Sequence, residues 1–229
     1  MGYLLWRLLL LCGLLIGMLQ AWFLAHVLWW QQIPPQRTAF MAAGLAELRR
    51  DNPNATLKHQ WVDYDQISLH LKRAVVAAED SLFMQHQGFD WDNLRQAWEQ
   101  NQRRGRVVRG GSTISQQLAK NLFLSSNRSL LRKGQEAIIT VMLEGVMDKR
   151  RILEIYLNSI EWGHGVYGAE AAARHYFNKS AAQLTPYEAA KLASKIPRPA
   201  FYDRNRYAPG LQRKTAIIQR RMHQVAVPR

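Results

Sequence analysis

An all-α domain of short helices behind one membrane-spanning helix is the fold this sequence predicts, and three observations predict it. A long apolar run stands near the N-terminus. After it come segments whose apolar residues recur at i, i+3 or i+4 and i+7, several opened by a Ser or Thr that can cap a helix. No internal repeat and no zinc-ligand spacing interrupts them, and the seven histidines are scattered. At 229 residues the chain has room for an anchor, residues 1–33, and one domain of ordinary size, residues 34–229.

From Leu8 to about Trp30 the chain is apolar, broken only by Gln20 and His26. About twenty such residues span a hydrocarbon core, whereas a cleaved signal has a shorter apolar region and a small-residue cleavage site. Trp29 and Trp30 suit the membrane interface, and Arg7 with the terminal amine favours a cytoplasmic N-terminus with the body outside. Cys12 is the lone cysteine and lies in the span, so no disulfide framework exists. The formal charge of +14 calls for something acidic nearby: nucleic acid, an anionic bilayer surface or a pyrophosphate. A body outside the membrane would not meet nucleic acid.

Pro34 and Pro35 close the anchor, Arg50 to Asn54 is a turn-rich break, and Lys58 to Asp65 suits a short extended piece. Ser68 can cap a helix whose Leu71, Val75, Ala78 and Leu82 form a core stripe, with Glu79 and Asp80 beside it. By periodicity alone those two carboxylates are boundary residues with solvated heads. Asp92 to Gln102 makes a polar helix, followed by a basic link through Arg103, Arg104, Arg106 and Arg109.

In Gly110 to Asn121 two glycines permit a tight turn, and Thr113 with Gln116 fits a capping box. Ile114, Leu118 and Leu122 form one stripe, while Gln116, Gln117, Lys120 and Asn121 are polar. A helix start flanked by cations suits an anionic oxygen ligand such as a phosphate, although an ordinary amphipathic surface helix has the same pattern. Leu131, Ile138, Met142 and Val146 mark the next stripe, and Arg132 and Lys133 precede Glu136 at spacings that an exposed helical ion pair would also explain. Ile152, Ile155, Tyr156 and Ile160 point inward from another helix.

Gly163 to Gly168 matches G-x-G-x-x-G, but a helix and not a strand precedes it and the Ala-rich segment Ala169 to Tyr176 follows, so no βαβ unit frames it; a tight helix-to-helix turn is the expectation. Thr185-Pro186-Tyr187-Glu188 starts a helix after the Ala169 to Tyr176 segment, Ile196-Pro197-Arg198-Pro199 stops it, and a basic helix from about Leu211 to Val225 closes the body.

Several of these stretches together closely resemble the successive motifs of the peptidoglycan glycosyltransferases. They are Glu79-Asp80-Ser81-Leu82-Phe83 with His86, Gly88 and Asp90; Gly110 to Gln117 with Lys120-Asn121; Arg132-Lys133 with Glu136; and Ile152-Leu153-Glu154-x-Tyr156-Leu157-Asn158. Order and spacing agree across Trp61 to Tyr202. The chain looks like the monofunctional members. No Ser-x-x-Lys is present, and Lys214-Thr215-Ala216 lacks the glycine of Lys-Thr-Gly, so no transpeptidase activity is expected.

The resemblance implies a lysozyme-like fold, an inner-membrane location with a periplasmic catalytic domain, and lipid II with the growing glycan strand as ligands. Anionic membrane lipids and cell-division or elongation proteins are the implied partners, nucleic acid is not, and no cofactor is obligatory beyond a divalent cation, Mg or Mn, that the pyrophosphate could carry. It places the general base on Glu79, beside an apolar stripe that would desolvate it, and a second essential carboxylate on Glu136. Asp80, Phe83, His86, Ser112, Gln116, Gln117, Lys120, Asn121, Arg128, Arg132 and Lys133 match or lie beside substrate-binding positions. Gln135 departs from the Lys that some members carry there.

The competing reading is a membrane-anchored lysozyme-like hydrolase using a carboxylate pair. It leaves the basic cluster without work, because a neutral sugar leaving group needs a proton and not cations. A non-enzymatic module binding anionic headgroups would use the charge and ignore Glu79.

Overall fold

Helix α1 (Gly2–Gln32) opens the chain in the computed structural model, which describes residues 2–106, 110–127, 129–205 and 207–229. It is long and apolar enough to cross a membrane. Its 31 residues span about 46 Å, more than a ~30 Å hydrocarbon core requires. The surplus is docked on the body: Phe23 and Val27 are buried, and Trp22, Phe23, His26 and Trp30 surround Phe123. The expected span ending near Trp30 is thus only partly free, because protein contacts begin at Gln20.

Helix α2 (Ala39–Asp51), capped by Thr38 Oγ1 on the Met41 N–H at 3.1 Å, fills a stretch that carried no helix signal of its own. Strand β1 (Lys58–His59) lies in the expected extended piece, and a 3-10 turn at Tyr64–Gln66 leads to α3 (Leu69–Glu79). Leu71 and Val75 of α3 are buried as expected. The helix stops at Glu79, so Leu82 leaves the stripe for the surface and Phe83 is buried instead. Then follow α4 (Trp91–Arg103), α5 (Ile114–Phe123), α6 (Leu130–Val146) and α7 (Lys149–Ser159).

On α6 the structure corrects the expected stripe. Ile139, Thr140 and Leu143 face the core and Met142 and Val146 of the expected stripe are half-buried against it, whereas Leu131 is 89 % exposed and Ile138 is exposed as well. The reason is a helix apolar on two sides. One side packs on α5; the other, which includes Gln135, faces α1.

The glycine-rich stretch also differs from its expectation. It forms a hairpin, β2 (Glu161–Gly163) and β3 (Val166–Tyr167), with β1 parallel to β3 and β2 antiparallel to it, and no helix-to-helix turn. Gly165 and Gly168 have φ of +72° and +83°, where a side chain is strained, and any Cβ on Gly163 would collide with the Tyr176 hydroxyl. The rest is helical: α8 (Ala169–Phe177), a 3-10 turn at Ala181–Gln183, α9 (Pro186–Lys195) with the expected capping box, α10 (Pro199–Arg204) and α11 (Pro209–Arg221). Helix α5 is enclosed by α2, α6 and α7, and α3 packs on α9 and α11. Buried Ile114, Leu118, Ile139, Leu143, Ile152 and Tyr156 tie α5, α6 and α7 into one core.

Candidate active site

Two adjacent residues at the end of α3 diverge. Asp80 is non-helical, at φ −161° and ψ 75°, and its buried carboxylate turns inward, accepting the Ile114 N–H at 3.0 Å and meeting His86 Nε2 at 2.9 Å. Glu79 turns the other way. Its Oε2 accepts from Gln117 Nε2 at 3.0 Å, and the Gln117 Oε1 accepts from the Tyr156 hydroxyl at 2.8 Å, which fixes the amide with its N–H side toward the carboxylate. Burial, and then the negative charges of Glu79 and Asp80, push the Tyr156 hydroxyl well above its ordinary range, so it remains a donor.

Lys214 Nζ of α11 stands 3.8 Å from Glu79 Oε1. Burial lowers this ammonium's pKa, with Glu79 pulling the other way. The apolar stripe therefore lies behind Glu79, while its head meets one N–H donor and one cation. It opens on a cleft of about 430 Å³ lined also by Asp80, Asp90, Asp92, Gln96 and Arg221.

Glu136, on the inner side of α6, is 2 % exposed. Arg132 Nη1 meets its Oε2 at 2.7 Å and Lys133 Nζ meets its Oε1; Lys133 also donates to Ser112 Oγ at 3.3 Å. Lys120, on α5, has no carboxylate within 4 Å among the described residues, and its ammonium lies 5.3 Å from the centre of the Phe40 ring. Burial lowers its pKa most. Glu136 and Glu79 raise it and Arg132 and Lys133 lower it, so this lysine lies within electrostatic reach of both carboxylates.

The expected residues thus fall into two groups. Ser112, Gln117, Lys120, Arg132 and Lys133 are gathered between Glu79 and Glu136. Asp80, Phe83, His86 and Gln116 stand behind that surface. Phe83 is fully buried beneath the Lys149 ammonium, 4.6 Å from its ring centre, and Gln116 returns its Oε1 to the Thr113 N–H as a capping box. The start of α5, read as a seat for a guest anion, already holds one: the Asp80 carboxylate, with Thr113 Oγ1 taking the Gln116 N–H. Asn121 is buried on α5. Arg109 and Arg128 lie outside the described residues.

The structure adds two members. Tyr156 stood in a recognised stretch with only a core role, and Lys214 stood in a basic helix with nothing local to distinguish it; both reach Glu79 through tertiary packing. A further trio, Ser115, Glu144 and Lys149, links α5 to the last turn of α6 and the first residue of α7, with Lys149 Nζ 2.7 Å from Glu144.

A family model described as transglycosylase matches residues 46–223, from α2 through the end of α11. The chain belongs to the transglycosylase family. It is 58% identical over 223 residues to a biosynthetic peptidoglycan transglycosylase of Methylobacillus flagellatus and 60% over 226 residues to one of Dechloromonas aromatica, with 97% of both chains covered in each case. A third, from Laribacter hongkongensis, is 58% identical over 209 residues, 91% of this chain and 92% of its own. The match covers the cleft, both glutamates and the cations between them, so the family and the site coincide.

For a transglycosylase, the donor set also bears on the Mg or Mn expectation. Among the described residues no group of three His, Cys, Asp or Glu side chains could hold a metal, and both Glu136 oxygens are engaged by cations.

Proposed function

We propose that this chain polymerises glycan strands from lipid II, joining the 4-hydroxyl of an acceptor sugar to the anomeric carbon of a donor and releasing polyprenyl pyrophosphate. The observation that carries the reading is Lys120: an ammonium with no carboxylate within 4 Å among the described residues, within electrostatic reach of one open carboxylate and of one that already holds two cations. Glu79 takes the hydroxyl proton. Lys120, Arg132 and Lys133, with Ser112 beside them, face the pyrophosphate as its negative charge grows, and because they are already in place they need no reorganisation. Direct displacement of an α-linked donor gives a β-1,4 product by inversion, with no covalent intermediate.

Hydrolysis by a carboxylate pair fits less well. Glu136 is buried with a cation on each of its two oxygens, which leaves it shielded from the water or anomeric carbon that a base or nucleophile would have to reach. In this reading α1 places the body at the outer face of the inner membrane with the N-terminus cytoplasmic, and division or elongation proteins are its protein partners.

The test is purified full-length protein in detergent with labelled lipid II, products resolved by size, beside Glu79→Gln. Long strands from the wild type and none from the variant support the reading. Intact lipid II together with cleavage of finished glycan overturns it in favour of the hydrolase.

A further inference from the structure

Gln20 is the one amide side chain in the apolar run of α1 over residues 8–30, and an amide there is costly unless its hydrogen bonds are met. They are met by one residue. Gln20 Nε2 donates to Gln135 Oε1 at 2.9 Å, and Gln135 Nε2 donates back to Gln20 Oε1 at 2.9 Å, a closed amide pair between the anchor and α6. Eleven residues further along both helices, Gln31 Nε2 donates to the Val146 carbonyl at 2.9 Å. The equal offset means that α1 and α6 run parallel over about three turns, roughly 16 Å. Beyond it, Arg151 Nε donates to the Trp30 carbonyl at 2.9 Å.

Between these ties α1 turns apolar side chains to the body, with Phe23 and Val27 buried and Trp30 stacked on Phe123 of α5. Apolar contact prefers no single register in a medium as apolar as itself, whereas a reciprocal amide pair does. Gln135 directly precedes Glu136 and follows Arg132 by three residues, so whatever sets the rotation and depth of α6 also sets the cations on Glu136.

We propose that Gln20 is a positioning residue of the donor side: through Gln135 the membrane anchor fixes α6 and thereby the Arg132, Lys133 and Glu136 group. The inference rests on the proposed polymerase reading, which it extends to a residue inside the membrane-spanning helix. The anchor then belongs to the site and cannot be exchanged for any apolar helix.

The test uses full-length protein in lipid nanodiscs with two readouts, turnover of lipid II and binding of a polyprenyl pyrophosphate. Gln20→Leu is expected to lower both about tenfold, the scale of losing one or two positioning hydrogen bonds, with the melting temperature held. Gln135→Leu, which leaves the anchor sequence intact and guards against failed insertion of the first variant, should match it. The double variant should be no worse than either single one, because one interaction is removed in all three. Ile16→Ala, on an exposed stretch of the same helix, should behave as wild type.

Wild-type turnover and binding in Gln20→Leu overturn the inference, as does a loss that only tracks a lower melting temperature. If wild-type protein turns over no lipid II, the polymerase reading falls. The positioning role then stands or falls on pyrophosphate binding alone.

Discussion

Glu79 and Glu136 are two carboxylates within reach of one lysine, and their surroundings are opposite. Glu79 ends a helix, faces an open cleft and has, among the described residues, one cation within 4 Å, held off at 3.8 Å. Glu136 lies inside a helix, buried, with a cation on each oxygen. In the proposed reaction the same functional group is a proton acceptor in the first setting and a strut for positive charge in the second. What separates them is the end of α3: Asp80 takes the inward direction, ties itself to α5, and leaves Glu79 to face the cleft.

The comparison breaks most sharply at Glu79→Gln, which keeps the shape and removes the acceptor. Lipid II polymerisation should fall by about 10³ or more, the range of a general base, while binding of a polyprenyl pyrophosphate is retained. Lost binding with the lost turnover would move Glu79 into the same class as Glu136. For Glu136→Gln both should suffer: turnover by roughly 10², as for a lost electrostatic stabiliser, with weaker pyrophosphate binding as Arg132 and Lys133 lose their shared support. Intact binding in that variant would show that the cations hold their places unaided.

Smaller effects sharpen the contrast. Tyr156→Phe removes the hydroxyl that orients Gln117, and turnover should drop up to about tenfold with binding unchanged, since one buried hydrogen bond is lost on the Glu79 side only. The smallest effect at neutral pH, within a few-fold, is expected for Lys120→Arg, whose signature is in the pH profile. Burial holds Lys120 below the ordinary lysine value of 10.5, so its grip on the pyrophosphate is present at lower pH and lost as pH rises through its depressed pKa. The arginine keeps its charge, and the alkaline fall in kcat/KM should move to higher pH. An unmoved limb would take Lys120 out of the titration.

Local signals carried much of this. The caps at Ser68, Thr113 and Thr185 and the stripes of α3 and α5 are set by neighbours in sequence, and they were legible. The stripe of α6 was misread because a helix that packs on both a core and an anchor is apolar on two sides, and periodicity does not say which side is which. Helix α2 escaped notice because its mixed composition has one fully buried residue, Met41. At the site, Glu79, Glu136 and the α5 amides stood in recognised motifs. Lys214 arrives from a helix 135 positions away, and the inward turn of Asp80 is visible only once α3 and α5 are side by side.

That turn has a consequence for how the site senses its medium. With Asp80 seated on the first N–H of α5, the helix end attracts no phosphate of its own, and the pull on a pyrophosphate comes from whole charges on side chains. Lys133 is 42 % exposed, and mobile ions screen such charges over about 8 Å at physiological ionic strength. In the proposed reaction, rising ionic strength is therefore expected to weaken capture of the lipid before it touches proton transfer.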